Sequence, residues 1–234
     1  MFSRYHIAAI AFTIISVYGL NRYIHQGGLD RARRWLIAIA LLAPLFDPIY
    51  WLWEWQRFGR LSLNSTLPLY LCSLFWLLLP SAVFLRPGRW RQIALACLAS
   101  VVMVAVTLGF VLNTYLEYYP FFSFIPLRSL IYHYLAILGT SLLWTSGYYQ
   151  VAPGDQWRAF IPVVILLIPA LLLNVYFGYD YGYTAGGLGT PIEILSRALP
   201  KPLYLIVLYG GWFLINWGLF YRRVPLRPKK DRSV

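Results

Sequence analysis

Apolar residues in this chain run in long unbroken blocks separated by short polar connectors, with neither the two-residue alternation of a half-buried strand nor the narrow stripe of a surface helix. Seven blocks approach the roughly 20 residues a helix needs to cross a bilayer. They lie near 6–24, 35–53, 66–85, 91–113, 127–148, 158–178 and 201–221. A continuous helix satisfies its own backbone polar groups in lipid, and these runs are too long for barrel strands. The pattern predicts an all-α polytopic membrane protein. Residues 1–221 form a single seven-transmembrane-helix bundle, and residues 222–234 form a basic cytoplasmic tail. No heptad, solenoid period or low-complexity tract interrupts it.

The charges give the bundle a direction. Connectors on one side carry 14 of the 20 Lys and Arg residues and those on the other carry 6. The positive-inside bias then places the N-terminus outside and the C-terminus in the cytoplasm. The first apolar run has no small-residue cleavage site, and its basic cluster follows the run, so it reads as a retained helix and not a signal peptide. The longest connector, about 179–200, is rich in glycine and bracketed by Pro191 and Pro200, which suits an ordered or re-entrant loop. The aromatic run Tyr176 to Tyr183 before it fits an interfacial belt.

Composition excludes the main alternatives. Hydrophobic residues make up 60% of the chain and charged ones 12%, about half the charged share of a soluble domain. A soluble enzyme and a disordered chain are both ruled out. The net charge of +12 sits in connectors and tail instead of forming a stripe on one face, so no nucleic-acid partner is expected. The partners expected are membrane lipids, with anionic headgroups opposite the tail. The setting is a cell membrane, read as a bacterial inner membrane. Cys72 and Cys97 both lie inside apolar runs and make no disulfide framework.

Polar side chains inside a membrane are costly and are functional candidates for that reason. Sorted by depth, Asp47, Tyr70, Cys72, Asn113, His133, Asn174 and Asp180 converge on the outer half of the bundle. Cys97, Ser100 and Asn216, on the cytoplasmic half, are small or uncharged. Each residue has a plain structural role open to it. Asp47 before Pro48 accepts hydrogen bonds at a kink, Asn174 packs or caps a helix, and Cys72 and His133 are ordinary interior residues. As a set they carry the elements of nucleophilic catalysis: a cysteine, a histidine to take its proton, and Asp47 or Asn174 to orient the histidine. Ser129 and His133 share a helix face at i, i+4. Tyr70, Asn113, Asn174, Asp180 and Arg128 are the candidate substrate-binding residues. His6, His25 and His133 lie at different depths, so no paired-histidine haem site is expected. No metal or other cofactor is expected, since no local metal-ligand spacing or phosphate loop is present.

At LNSTLPLYLCSL the sequence resembles the YwaF family of bacterial multi-span membrane proteins, which shows a Pro-Leu-His-Leu-Cys stretch there. The similarity continues in IYHYLAIL, in LLNVYFGYDYGY and in the proline-containing stretch Lys201-Pro202-Leu203-Tyr204, covering residues 35–221. Tyr70 stands where the bacterial pattern has histidine, and Tyr179-Asp180 replaces its Thr-Asn. The resemblance implies a seven-helix bundle. A distant branch, the transmembrane protein 164 family, is associated with acyl transfer onto ether phospholipids through a cysteine and a histidine. That implies Cys72 as acyl acceptor and His133 as its base.

The reading that follows is a membrane lipid acyltransferase or lipid hydrolase. A non-enzymatic binder or carrier of a small solute or lipid, and a structural assembly partner, remain open beside it.

Overall fold

A computed structural model describes residues 2–224, and the described residues fold into helices with no strand. The tail from residue 225 onward, where contact with anionic lipid was expected, lies outside the described residues. Helix α1 spans Arg4–Gln26, its N-terminus capped where Ser3 Oγ accepts from the His6 N–H at 3.3 Å. A reversal at Gly27 and Gly28, the latter at φ +70°, starts α2 (Gly28–Leu42) antiparallel to it. A 3-10 turn over Ala43–Leu45 joins α2 to α3 (Phe46–Phe58), so the second apolar block is one helical rod ending at left-handed Gly59. Pro44 and Pro48 lack the N–H groups a regular α-helix would use, which accounts for the tightened turn between them.

The third block departs from the expected single span. A short α4 (Leu63–Thr66) gives way to extended backbone at Leu67 and Tyr70, followed by a 3-10 turn over Leu71–Ser73 and α5 (Leu74–Phe84). Pro68 disfavours helical geometry at Leu67 and leaves one N–H missing from the ladder. The fourth block is α6 (Arg89–Cys97), a π turn over Leu98–Val102 and α7 (Met103–Val111), followed by the short α8 (Tyr115–Tyr118). Helix α9 (Phe124–Thr145), the short α10 (Asp155–Arg158), α11 (Ile161–Phe177), α12 (Glu193–Ala198) and α13 (Lys201–Asn216) complete the chain, with a π turn over Trp217–Tyr221.

Among the described residues five helical segments are long and apolar enough to cross a membrane: Arg4–Gln26, Gly28–Phe58, Arg89–Tyr118, Asp155–Phe177 and Lys201–Tyr221. Leu71–Phe84 is apolar but short. Helix α9 carries Arg128, Ser129, His133, Thr140 and Ser141 along its length.

Helix α9 packs against α1, α2 and α7, while α5 lies between α2 and α6, and α11 against α6. The core is Ile24, Leu36, Phe75, Leu79, Leu98, Val102, Ala136 and Leu142, all fully buried. Gly139 of α9 admits Phe75: a Cβ there would stand 2.9 Å from the Phe75 ring. Outside, Phe12, Ile15, Ile165, Ile168 and Ile206 are more than half exposed, as a lipid-facing surface requires.

The end of the bundle remote from Cys72 is more polar than the sequence reading expected. Asp155, fully buried, accepts from Gln92 (2.6 Å), Tyr149 (2.9 Å), the Ala152 N–H (2.9 Å) and Arg158 (2.8 Å). Tyr221 donates to the Ala96 carbonyl at 3.2 Å and lies 3.0 Å from Ser100 Oγ. These partners come from three separated stretches of chain, so nothing local in the sequence announces the network.

Candidate active site

Cys72 sits on the 3-10 turn after the Pro68 break. Its carbonyl accepts the Tyr132 hydroxyl at 2.9 Å, which ties the turn to α9. The two thiols have different surroundings. Cys97 is fully buried within the apolar stretch Leu95–Val102. Cys72 is only part-buried, and its thiol lies within electrostatic reach of Asp47 and Arg128 and of the hydroxyls of Tyr70, Tyr115, Tyr132 and Tyr183.

Arg128 and Asp47 are an ion pair at 2.6 Å. Arg128 Nε also donates to the Phe46 carbonyl at 3.0 Å, and the guanidinium lies 4.7 Å from the centre of the Tyr50 ring. The Asp47–Pro48 kink thus holds a carboxylate and a cation beside Cys72, with the cation anchored from α9.

His133 donates through Nδ1–H to the Ser129 carbonyl at 2.8 Å, with Ser129 Oγ 3.4 Å from the same nitrogen. This fixes the tautomer and leaves Nε2 unprotonated, the state a base requires. Nε2 points at Gly109 of α7, where a Cβ would be 2.7 Å away. The α7 segment also packs on the Leu71–Ser73 turn, so α7 meets both His133 and the turn that carries Cys72. Among the described residues no hydrogen bond joins Cys72 to His133, and Asp47 orients Arg128 instead of the imidazole. His6 comes closer to this neighbourhood than its place in the chain implied: its Nε2 donates to the Phe110 carbonyl at 3.1 Å, on the same turn of α7.

The remaining candidates hold backbone. Asn113 donates to Ser129 Oγ at 3.3 Å and accepts the Tyr115 N–H at 3.2 Å. Asn174 bonds the Tyr181 N–H (2.9 Å), the Tyr181 carbonyl (2.8 Å) and Thr184 Oγ1 (2.6 Å), clipping the following loop to the end of α11. Asp180 accepts from the N–H groups of Ala185 (2.8 Å), Gly186 (3.3 Å) and Gly187 (2.6 Å). Tyr204 donates to the Tyr183 carbonyl, and Tyr209 to the Gly182 carbonyl at 2.6 Å. The connector 178–200 is therefore ordered, as its composition suggested, though its tyrosines are not the simple interfacial belt expected. Tyr181 is fully buried, with its hydroxyl on the Leu63 carbonyl, and Tyr183, on the surface of the loop, lies within electrostatic reach of Cys72.

Tyr115, Tyr132 and Tyr183 were absent from the sequence-derived set. Tyr132 was within reach of the argument, because it stands at i+4 from Arg128 and shares its face. Tyr183 had no local signal. It is at φ +61°, directly after Gly182 at φ +62°, a backbone course set by the loop's tertiary anchors. Burial holds its hydroxyl above the ordinary phenolic pKa, so it stays protonated and able to donate.

Among the described residues no cluster of three or more His, Cys, Asp and Glu has the arrangement of a metal site. Comparison with curated proteins and with solved structures gives no match. A model of the TMEM164 family does match, over residues 1–221. That match spans every helix described above and includes Cys72, His133 and the loop that carries Tyr183, so the chain belongs to the TMEM164 family.

Proposed function

We propose that this membrane protein is a lipid acyltransferase or lipid hydrolase in which Cys72 is the acyl-accepting nucleophile. The observation that carries the reading is the contrast between its two thiols. Cys97 is fully buried inside a helix with the Tyr221 hydroxyl within electrostatic reach, whereas Cys72 is part-buried at a helix break, within electrostatic reach of an ion pair and several phenolic hydroxyls. Family membership supports a lipid-related role in the membrane.

In this mechanism the thiol proton passes to His133 Nε2, and the thiolate attacks a lipid ester carbonyl carbon. The carbon–sulfur bond forms as the carbonyl π electrons move onto oxygen. Collapse expels the alkoxide, which takes the proton from the imidazolium and leaves as the lysolipid. A second lipid hydroxyl, or water, then attacks the thioester and regenerates the thiol. The Cys72–His133 contact forms on substrate binding, as catalytic hydrogen bonds commonly tighten in the Michaelis complex.

The reading includes seven spans, with Leu71–Phe84 and Phe124–Thr145 crossing between the five longer segments. It places the N-terminus outside, the C-terminus in the cytoplasm and the Cys72 site in the outer half of the bilayer. Outer-leaflet lipids are then the substrates. Intact-protein mass spectrometry after incubation with phospholipid tests the chemistry. The expected result is a hydroxylamine-labile acyl adduct on the wild type and none on Cys72→Ser. Absence of any adduct, with Cys72 inert to thiol reagents in detergent, would make Cys72 a packing residue and favour the non-enzymatic binder.

A further inference from the structure

We propose that the groove between α5 and α11 is a lipid site, which takes one acyl chain of an anionic phospholipid whose phosphate is met by Arg86 and Arg89. The site is separate from Cys72 and does not rest on the reading of that thiol as a nucleophile.

Helices α5 and α11 both pack on α6, and between them lies a cavity of about 400 Å³. One wall is Leu74, Leu77, Leu78, Ser81 and Leu85, a single face of α5 at helical spacing. Phe75, Leu79 and Ala82, on the other face of that helix, are buried in the core. The opposite wall is Ile161, Ile165 and Pro169 of α11, again one stripe at a spacing of four. Ala94 of α6 lies between the walls, and its small side chain leaves the space open. Apart from the Ser81 hydroxyl and the Trp90 indole N–H, the lining side chains are hydrocarbon. Leu77, Trp90 and Ile165 are exposed, so the cavity opens on the lipid-facing surface.

Chemistry and length name the occupant. A groove of this lining gives water almost no hydrogen-bond partner, and a bilayer supplies hydrocarbon at its opening. Along α5 the lining runs from Leu74 to Leu85, about 16 Å at the helical rise. That is close to half of the roughly 30 Å hydrocarbon core, the depth one acyl chain covers in its own leaflet. A chain seated there touches protein on several sides and gains dispersion contacts that a flat surface does not offer. It also completes the packing of Leu71–Phe84, the short apolar helical segment, against α11.

The end of the groove carries free positive charge. Arg86 follows Leu85 and Arg89 precedes Trp90, both of which line the cavity. Both arginines are exposed, and among the described residues their side chains make no hydrogen bond or ion pair. The neighbouring cations are engaged. Arg91 Nε donates to the Ala82 carbonyl at 2.9 Å and its guanidinium lies 5.1 Å from the centre of the Tyr148 ring, while Arg158 pairs with Asp155 at 2.8 Å. Trp90, more than half exposed beside them, is the residue type that anchors a membrane interface. Two unpaired guanidiniums at the end of a chain-length groove favour a phosphate in a headgroup of net negative charge.

The test uses the full chain in detergent with dioleoyl phosphatidylglycerol as probe, and native mass spectrometry reads the lipid retained. Wild type should hold one molecule. Ile165 and Ile168 are 60% and 59% exposed on α11, but only Ile165 lines the groove. Ile165→Trp should therefore weaken retention by at least about tenfold, and Ile168→Trp should leave it unchanged. Arg86→Gln combined with Arg89→Gln should weaken it by about 30-fold, the loss expected for two basic groups at a headgroup. Dihexanoyl phosphatidylglycerol, with chains too short to fill the groove, should not be retained. Cys72→Ser should hold the lipid as wild type does, which separates a seated lipid from a thioester. Wild-type retention by Ile165→Trp, or equal retention of the short-chain lipid, would overturn the groove as the site. Loss of the lipid in Cys72→Ser would assign it to the thiol instead. A wild type that holds no lipid and is a dimer that Ile165→Trp converts to monomer would give the groove to a second copy of the chain and overturn the proposal.

Discussion

Arg128 on α9 and Asp47 at the α2–α3 kink form an ion pair at 2.6 Å, their side chains 20% and 19% exposed. The pair joins a proline-bent helix to the central helix of the bundle, directly beside Cys72. At this burial, removal of one partner strands a charge, and that penalty outweighs the net worth of the bridge itself. Arg128→Ala should therefore destabilise the fold by about 3 kcal/mol. Asp47→Leu combined with Arg128→Met should recover most of the loss, because the pair's desolvation cost disappears with it. Thermal unfolding in detergent across the double-mutant cycle gives the coupling. Additive losses would mean the two side chains are independent.

Gly109 offers a sharper test of the histidine. An exposed helical Gly→Ala substitution gains roughly 1 kcal/mol, but here the added Cβ meets His133 Nε2 at 2.7 Å. The Nδ1–H bond to the Ser129 carbonyl pins the ring against retreat. Gly109→Ala should slow acyl-adduct formation at Cys72 by at least about tenfold. Alkylation of the thiol should continue at the wild-type rate. Unchanged adduct formation would remove His133 from the mechanism.

Asn174 uses both ends of its amide on Tyr181 and Thr184. Asn174→Leu keeps the number of side-chain heavy atoms and leaves buried backbone groups unpaired, at a cost of about 1–3 kcal/mol. The loss should be local. Hydrogen exchange should rise through 178–190 while α9 stays protected. Uniform exchange across the chain would contradict a local clip.

The loop also has a pH signature. Glu193 accepts from the Gly189 N–H at 2.8 Å and pairs with Arg197, and these two interactions hold its carboxyl below the ordinary carboxylate range. A depressed folded-state pKa contributes order that is fully present above the unfolded value and is lost as pH falls through the folded one. Exchange of the Gly189 amide, corrected for its intrinsic rate, should be slow at neutral pH and faster in mild acid. In Glu193→Gln that pH dependence should vanish. A persistent dependence would assign it to another group.

At the opposite end, Asp155 accepts from Gln92, Tyr149, Arg158 and the Ala152 N–H. Asp155→Ala should lower stability by several kcal/mol, since it orphans buried donors and leaves Arg158 unpaired. Melting temperature should drop, and the reactivity of Cys72 in the folded fraction should not. A selective loss of Cys72 chemistry with unchanged melting would mean that the two ends are coupled.

The apolar blocks alone were enough to read an all-helical membrane protein, because a bilayer permits few ways to satisfy a backbone and each needs a long uniform run. Pairings at helical spacing were equally accessible: Ser129 with His133 is an i, i+4 relation that the fold realises. The break at Pro68 was visible as a residue but not as a consequence. Whether a proline kinks a span or opens it into extended chain depends on what packs around it, here α7 against the Leu71–Ser73 turn. Composition marked the connector 179–200 as ordered, but only its tertiary anchors set its course through Gly182 and Tyr183, by bonds from Tyr204 and Tyr209 on another helix. Depth along a helix can be counted from sequence, whereas contact between helices cannot. Facing between helices follows from packing across the bundle, and that decided that Asp47 pairs with Arg128, that Asn113 and Asn174 hold backbone, and that the Tyr132 hydroxyl bonds the Cys72 carbonyl.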